Sequence, residues 1–153
     1  MKNIVFRKIR NILLFGIAII GFLSCSVSNE QIINGHFKGE ADIITNWSAQ
    51  KKLSFNLNID SNNKITGTIG NATITKGMVK KNIFGDTDYI INIDLSGYLI
   101  EKEKIKRASI KIPFNYEKDK IIGGFGTNGS KIGGKEHMIM SGANLVLHKT
   151  LNY

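Results

Sequence analysis

The sequence predicts an all-β fold: about eight antiparallel strands in a meander, closing into a small up-and-down β-barrel that follows an N-terminal signal helix. Three observations point there. Apolar residues alternate with polar ones at period two through most of the chain after Asn34. The links between alternating runs are short and rich in Gly, Asn and Asp. No stretch beyond the N-terminal segment carries a helical period. Short links favour antiparallel neighbours, and closing the meander removes exposed strand edges. A β-sandwich is the alternative architecture.

The clearest strand is the second, where Leu53, Phe55, Leu57 and Ile59 alternate with Lys52, Ser54, Asn56, Asn58 and Asp60. Successive side chains of a strand point to opposite faces, so one face is buried and the other wet. A first strand is read over residues 36–45. Ser61, Asn62 and Asn63 turn the second strand into a third over 64–69. Gly70 and Asn71 then form a two-residue hairpin loop, since both accept positive φ. A fourth strand covers 72–79, and residues 82–86 make a looser connection. Tyr89, Ile91, Ile93, Leu95, Gly97 and Leu99 share one face of the fifth. Ile110, Ile112, Phe114 and Tyr116 do so in the sixth, where Pro113 favours an edge or unpaired position. Residues 117–119 turn into a seventh strand over 120–126. A glycine-rich link, 127–135, precedes the last, in which Ile139, Ser141, Ala143, Leu145 and Leu147 are placed on one face.

The N-terminus reads differently. Lys2, Arg7, Lys8 and Arg10 precede an uncharged apolar run over residues 12–23. About a dozen apolar residues suit a secretory segment, whereas a spanning helix needs ~20. Phe22, Leu23, Ser24 and Cys25 resemble the lipobox of bacterial lipoproteins, with Phe22 where Leu is usual. The resemblance implies cleavage before Cys25, the only cysteine, and its acylation with about three chains. At ~0.8 kcal/mol per buried CH₂ a single chain holds marginally, so three would anchor permanently. The predicted organisation is a signal peptide over 1–24, a tether over 25–35 and one barrel domain over 36–153. The predicted address is the bacterial envelope, at the outer membrane.

Composition bounds the chemistry. Losing the four basic residues of the signal lowers the formal net charge from +9 to +5, which is mildly basic. Lys102, Lys104, Lys106 and Arg107 are interleaved with Glu101 and Glu103, the pattern of a solvated loop. A nucleic-acid surface wants unmixed cations with stacking aromatics, so no nucleic-acid partner is expected. With Cys25 acylated, no thiol remains for a disulfide, for catalysis or for a cysteine zinc site.

Residues Gly124, Gly126 and Gly129 match G-x-G-x-x-G, but a strand and not a helix follows. They are read as glycines that let a strand bend and turn. His36, His137 and His148 lack the close spacing of metal ligands on one strand, and His148 is expected to face outward. No nucleophile elbow occurs, and Asp86 and Asp88 sit beside a turn, where aspartate is common. No enzyme, metal or cofactor is expected. Trp47 near the first loop is either a stacking residue for a ligand or a plug at one end of the barrel.

Gly124, Phe125 and Gly126, followed by Gly133, Gly134 and a final strand, resemble the closing hairpin of transferrin-binding-protein B-like surface lipoproteins. The likeness covers about two dozen residues. It implies a lipid-anchored eight-stranded barrel that binds protein. The expected function is therefore a non-catalytic binding module for an envelope or host protein or a small ligand. A lipocalin-like carrier of a small hydrophobic ligand, a structural or assembly accessory and an enzyme inhibitor are the alternatives. Metabolic labelling with a fatty acid is expected to tag the wild type and not Cys25→Ser; equal labelling of both would refute the anchor.

Overall fold

The computed structural model describes residues 33–45, 48–100, 105–131 and 140–150. They form eight strands in chain order: β1 (Gly35–Ile43), β2 (Lys52–Ile59), β3 (Ile65–Ile69), β4 (Ala72–Lys81), β5 (Tyr89–Ser96), β6 (Ile105–Glu117), β7 (Lys120–Lys131) and β8 (Met140–Thr150). Each pairs with the next, antiparallel, and β8 returns to pair with β1, giving a closed barrel. The barrel is thus the architecture and the sandwich is not.

The turn chemistry acts as the residues suggest. Gly70, at φ +53°, and Asn71 form the two-residue link between β3 and β4. Lys118 and Asp119 both take positive φ, the geometry that matches a tight hairpin to strand twist. Between β2 and β3, the Asp60 carboxylate accepts the backbone N–H of Asn62 at 2.8 Å and of Lys64 at 2.9 Å.

The period-two pattern sorts side chains as expected in β2, β5 and β6: Leu53, Phe55, Leu57, Ile59, Ile91, Ile93, Leu95, Ile110, Ile112, Phe114 and Tyr116 are all buried. The outward positions of β2 are Lys52, Ser54, Asn56 and Asn58, all exposed. A membrane-spanning barrel has the reverse distribution, apolar outside and polar within. Ile33, which the sequence places in the tether, is buried in the same core and so belongs with the barrel.

Aromatic rings fill the interior. Phe55 on β2 meets Phe125 on β7 edge to face, with centroids 5.7 Å apart. Phe37 on β1 meets Tyr116 on β6 the same way at 6.1 Å. The inward glycines do not hollow the barrel. A Cβ on Gly39 would fall on the carbonyl of Val146, one on Gly67 on that of Asn56, and one on Gly123 on that of Pro113. In each case the missing side chain lets a neighbouring backbone close in, so the wall bends inward at that position instead of leaving space there.

Four elements depart from the sequence expectation. β5 ends at Ser96, because Gly97 turns to φ +102°. β6 begins at Ile105, so Lys106 and Arg107 belong to a strand and not to a loop. β7 runs on to Lys131, and the whole Gly124-to-Gly129 motif lies within it, bending the strand without turning it. In β8, Met140 and Gly142 are buried, as are Leu145 and Leu147, while Ser141 and Ala143 are not. Asn144 at φ +53° is part of a bulge that shifts the register against β7 and flips the face. Pro113 lies inside a closed wall. It stands opposite Ile90, but the β6–β7 ladder passes from Lys111–Gly126 to Phe114–Gly123, so its missing N–H falls where pairing lapses.

Replacing Phe55 by Ala is expected to cost about 3–5 kcal/mol in urea unfolding, from lost transfer energy plus cavity. Gly39→Ala, which overpacks a bend, should cost about 1–3 kcal/mol. Ser54→Ala, on the outer face, should stay within ~0.5 kcal/mol of wild type.

Candidate functional site

Phe37, Phe55, Phe114 and Phe125 are buried in the core, which makes the outer wall and the ends the candidate surfaces. One concave outer surface lies over β5, β6, β7 and β8, under the loop that joins β4 to β5. It is a groove of about 590 Å³ whose lining includes Phe84, Ile90, Lys111, Pro113, Gly124 and Gly126. Its origin is the residue type on the outer face. Gly124 presents no side chain there, a Cβ on Gly126 would meet nothing within 4 Å, and Pro113 is short and rigid. The floor is consequently backbone and ring.

A second depression of about 470 Å³ also includes Lys111 and Gly126, with Asn92, Asp94 and Ser109 beside them. The paired registers explain the meeting: Asn92 stands opposite Lys111, Lys111 opposite Gly126, and Asp94 opposite Ser109. Apolar surface at one side thus gives way to amide, carboxylate, hydroxyl and ammonium groups at the other. Such a face can hydrogen-bond and exclude water, as a protein-contact patch does.

The loop over residues 82–88 is braced at its base. The Asn82 N–H donates to the Asp88 carbonyl at 2.8 Å, and Asn82 Nδ2 donates to Thr87 Oγ1 at 3.1 Å. Asp88 N–H donates to Asn115 Oδ1 at 2.9 Å, tying the loop to β6. Its apex is apolar: Ile83 is 80% exposed and Phe84 90% exposed. The sequence places these two residues in a loose connection and assigns them no role. Two adjacent large hydrophobes among Asn, Gly and Asp were the available signal, since a turn has no core to bury them in.

The residues singled out from sequence fall as follows. Cys25, Trp47 and His137 lie outside the described residues. His148 is exposed, in line with its parity. His36 bonds through Nε2 to Asn56 Oδ1. Among the described residues no group of three or more His, Cys, Asp and Glu could hold a metal. Asp86 and Asp88 belong to the braced loop, and the backbone of Asp88, not a paired carboxylate, makes the contacts above.

No family model matches the chain, and no curated protein or solved structure matches it either.

One titratable group at the loop end of the barrel is displaced. Burial pushes the Tyr116 hydroxyl up to about 12, helped by its hydrogen bond to Asp119 at 2.8 Å and by the Asp119 charge. Unfolded, the phenol loses its proton near 10; folded, it holds it to about 12. Stability is therefore expected to fall as pH rises through that window, by roughly 2–3 kcal/mol at full ionisation. Comparison with Tyr116→Phe in alkaline urea titrations checks this: the variant should lack that part of the decline.

Proposed function

We propose that the chain is a bacterial lipoprotein, held at the envelope through acylated Cys25, and that its barrel is a non-catalytic binding module. The observation that carries the reading is the combination of a filled interior with an indented outer wall. Phe37, Phe55, Phe114 and Phe125 occupy the space a lumenal ligand would need. Eight strands leave room either for side chains or for one small ligand, not for both. This favours contact on the outer surface over a lipocalin-like carrier. Among the alternatives, an accessory role or inhibition would use the same outer surface and is compatible with it.

The outer face over β5, β6 and β7 is the part suited to a partner. Gly124 and Gly126 let another chain approach the wall closely, while Asn92, Asp94, Ser109 and Lys111 offer both donors and acceptors. Association there is expected to depend on Lys111 and to be indifferent to Ser54, on β2 across the barrel.

Photo-crosslinking in whole cells tests the proposal. A benzophenone side chain at Lys111 is expected to trap a discrete envelope component, and one at Ser54 is not. Native mass spectrometry supplies the opposing outcome: a stoichiometric hydrophobe retained by the purified protein would support the carrier instead.

A further inference from the structure

We infer that the loop over residues 82–88 is a second membrane contact, inserting Ile83 and Phe84 into the surface of the bilayer that holds the anchor. The inference rests on the anchor reading above and adds an orientation to it.

Strand direction supplies the first step. In an eight-stranded up-and-down barrel, alternate connections share an end. The chain enters β1 at Gly35, and the β2–β3 turn, the loop over 82–88, the β6–β7 turn and the end of β8 all lie at that same end. The β1–β2, β3–β4, β5–β6 and β7–β8 connections lie at the other. The apolar loop is therefore attached at the end by which the chain arrives.

Chain length supplies the second. Ile33 is already in the core, and eight residue steps separate it from Cys25. Eight residues span at most ~29 Å fully extended. The nine residues of β1 cover ~30 Å along the strand, or about 23 Å along a tilted barrel axis. The far end could meet the lipid only with the tether drawn nearly straight along the wall, which sacrifices its conformational freedom. The near end meets it with the tether slack. Such a tether also gives the loop an effective concentration on the order of millimolar at the bilayer, so weak intrinsic insertion suffices.

The chemistry of the loop supplies the third. Ile83 and Phe84 are the two most exposed large hydrophobes among the described residues. They are held out on a base braced by Asn82, Thr87 and Asn115. Lys80 and Lys81, both exposed, precede them with Asn82 between. Lys64, Lys118 and Lys120 are exposed at the same end, with Asp86, Asp88, Glu117 and Asp119 as the exposed acids. Asp119 is engaged by Tyr116 and by Lys149. An apolar apex behind a pair of lysines suits an interface where acyl chains lie beneath anionic headgroups.

The test uses the full chain reconstituted in 3:1 phosphatidylcholine–phosphatidylglycerol vesicles, with and without bromine on the acyl chains. Phe84→Trp in a Trp47→Phe background reports the loop; Ala49→Trp in the same background reports the opposite end. Brominated lipid is expected to quench the first roughly twofold or more and to leave the second unchanged, as for an indole at acyl depth against one in water. Intact mass, measured beforehand, shows whether Cys25 is acylated. An acylated protein with no quenching at position 84, or with equal quenching at both positions, overturns the inference and leaves the anchor standing. An unacylated protein overturns the anchor; the same reporters are then read with vesicles added, where quenching confined to position 84 sustains insertion and its absence overturns it.

Discussion

The rest of the barrel depends on aromatic contacts that cross its axis. Phe55 against Phe125 and Phe37 against Tyr116 join strands that share no hydrogen bond, from opposite sides of the wall. Backbone pairing fixes which strands are neighbours and, through strand number and stagger, how wide the cylinder is. Edge-to-face rings fill that width and add to their own burial. The wall yields to them through glycine: Gly39, Gly67 and Gly123 let it bend inward until neighbouring backbones nearly touch. The core and the bends therefore specify one another. A wider wall would leave the rings unpacked, and a larger residue at a bend would push the wall away from them.

The same coupling explains what could be read from the sequence. Parity is a local signal, and β2, β5 and β6 declared their inner faces because one side of each is continuously apolar. In β8 the signal failed at Asn144, where a bulge changes the face between Gly142 and Leu145. Nothing in the alternation marks such a step, since Ser141 and Ala143 are small enough to pass on either side. The length of β7 was hidden for a related reason. Gly126 and Gly129 look like loop residues by composition, yet their partners on β6, Lys111 and Arg107, hold them in the ladder. Whether the interior was full or hollow lay beyond sequence altogether, because a glycine on an inner face fits both cases until its neighbours are known.

The outer surface was less legible still. The groove arises from what Gly124, Gly126 and Pro113 lack, and the residues that meet there come from four strands whose registers the sequence does not state. Ile83 and Phe84 were visible as an anomaly, two hydrophobes in a turn, but their meaning depends on which end of the barrel carries them. That follows only from the strand count and the closure. The proposed binding face and the proposed membrane contact meet at Phe84, which lines the groove, while Asn92, Asp94 and Ser109 lie farther along the wall.

The seam between β1 and β8 has a consequence in time. His36 stands opposite Thr150, and Thr150 Oγ1 donates to the His36 carbonyl across 114 positions of sequence. The first strand made waits for β8, so the cylinder cannot seal until β8 has emerged. Until then Phe37 and its neighbours lack part of their cover. Seven links can form locally and early, whereas this one must gather the two extremes of the domain. A barrel sealed only by β8 stays open until that strand is made and commits to its shape afterwards.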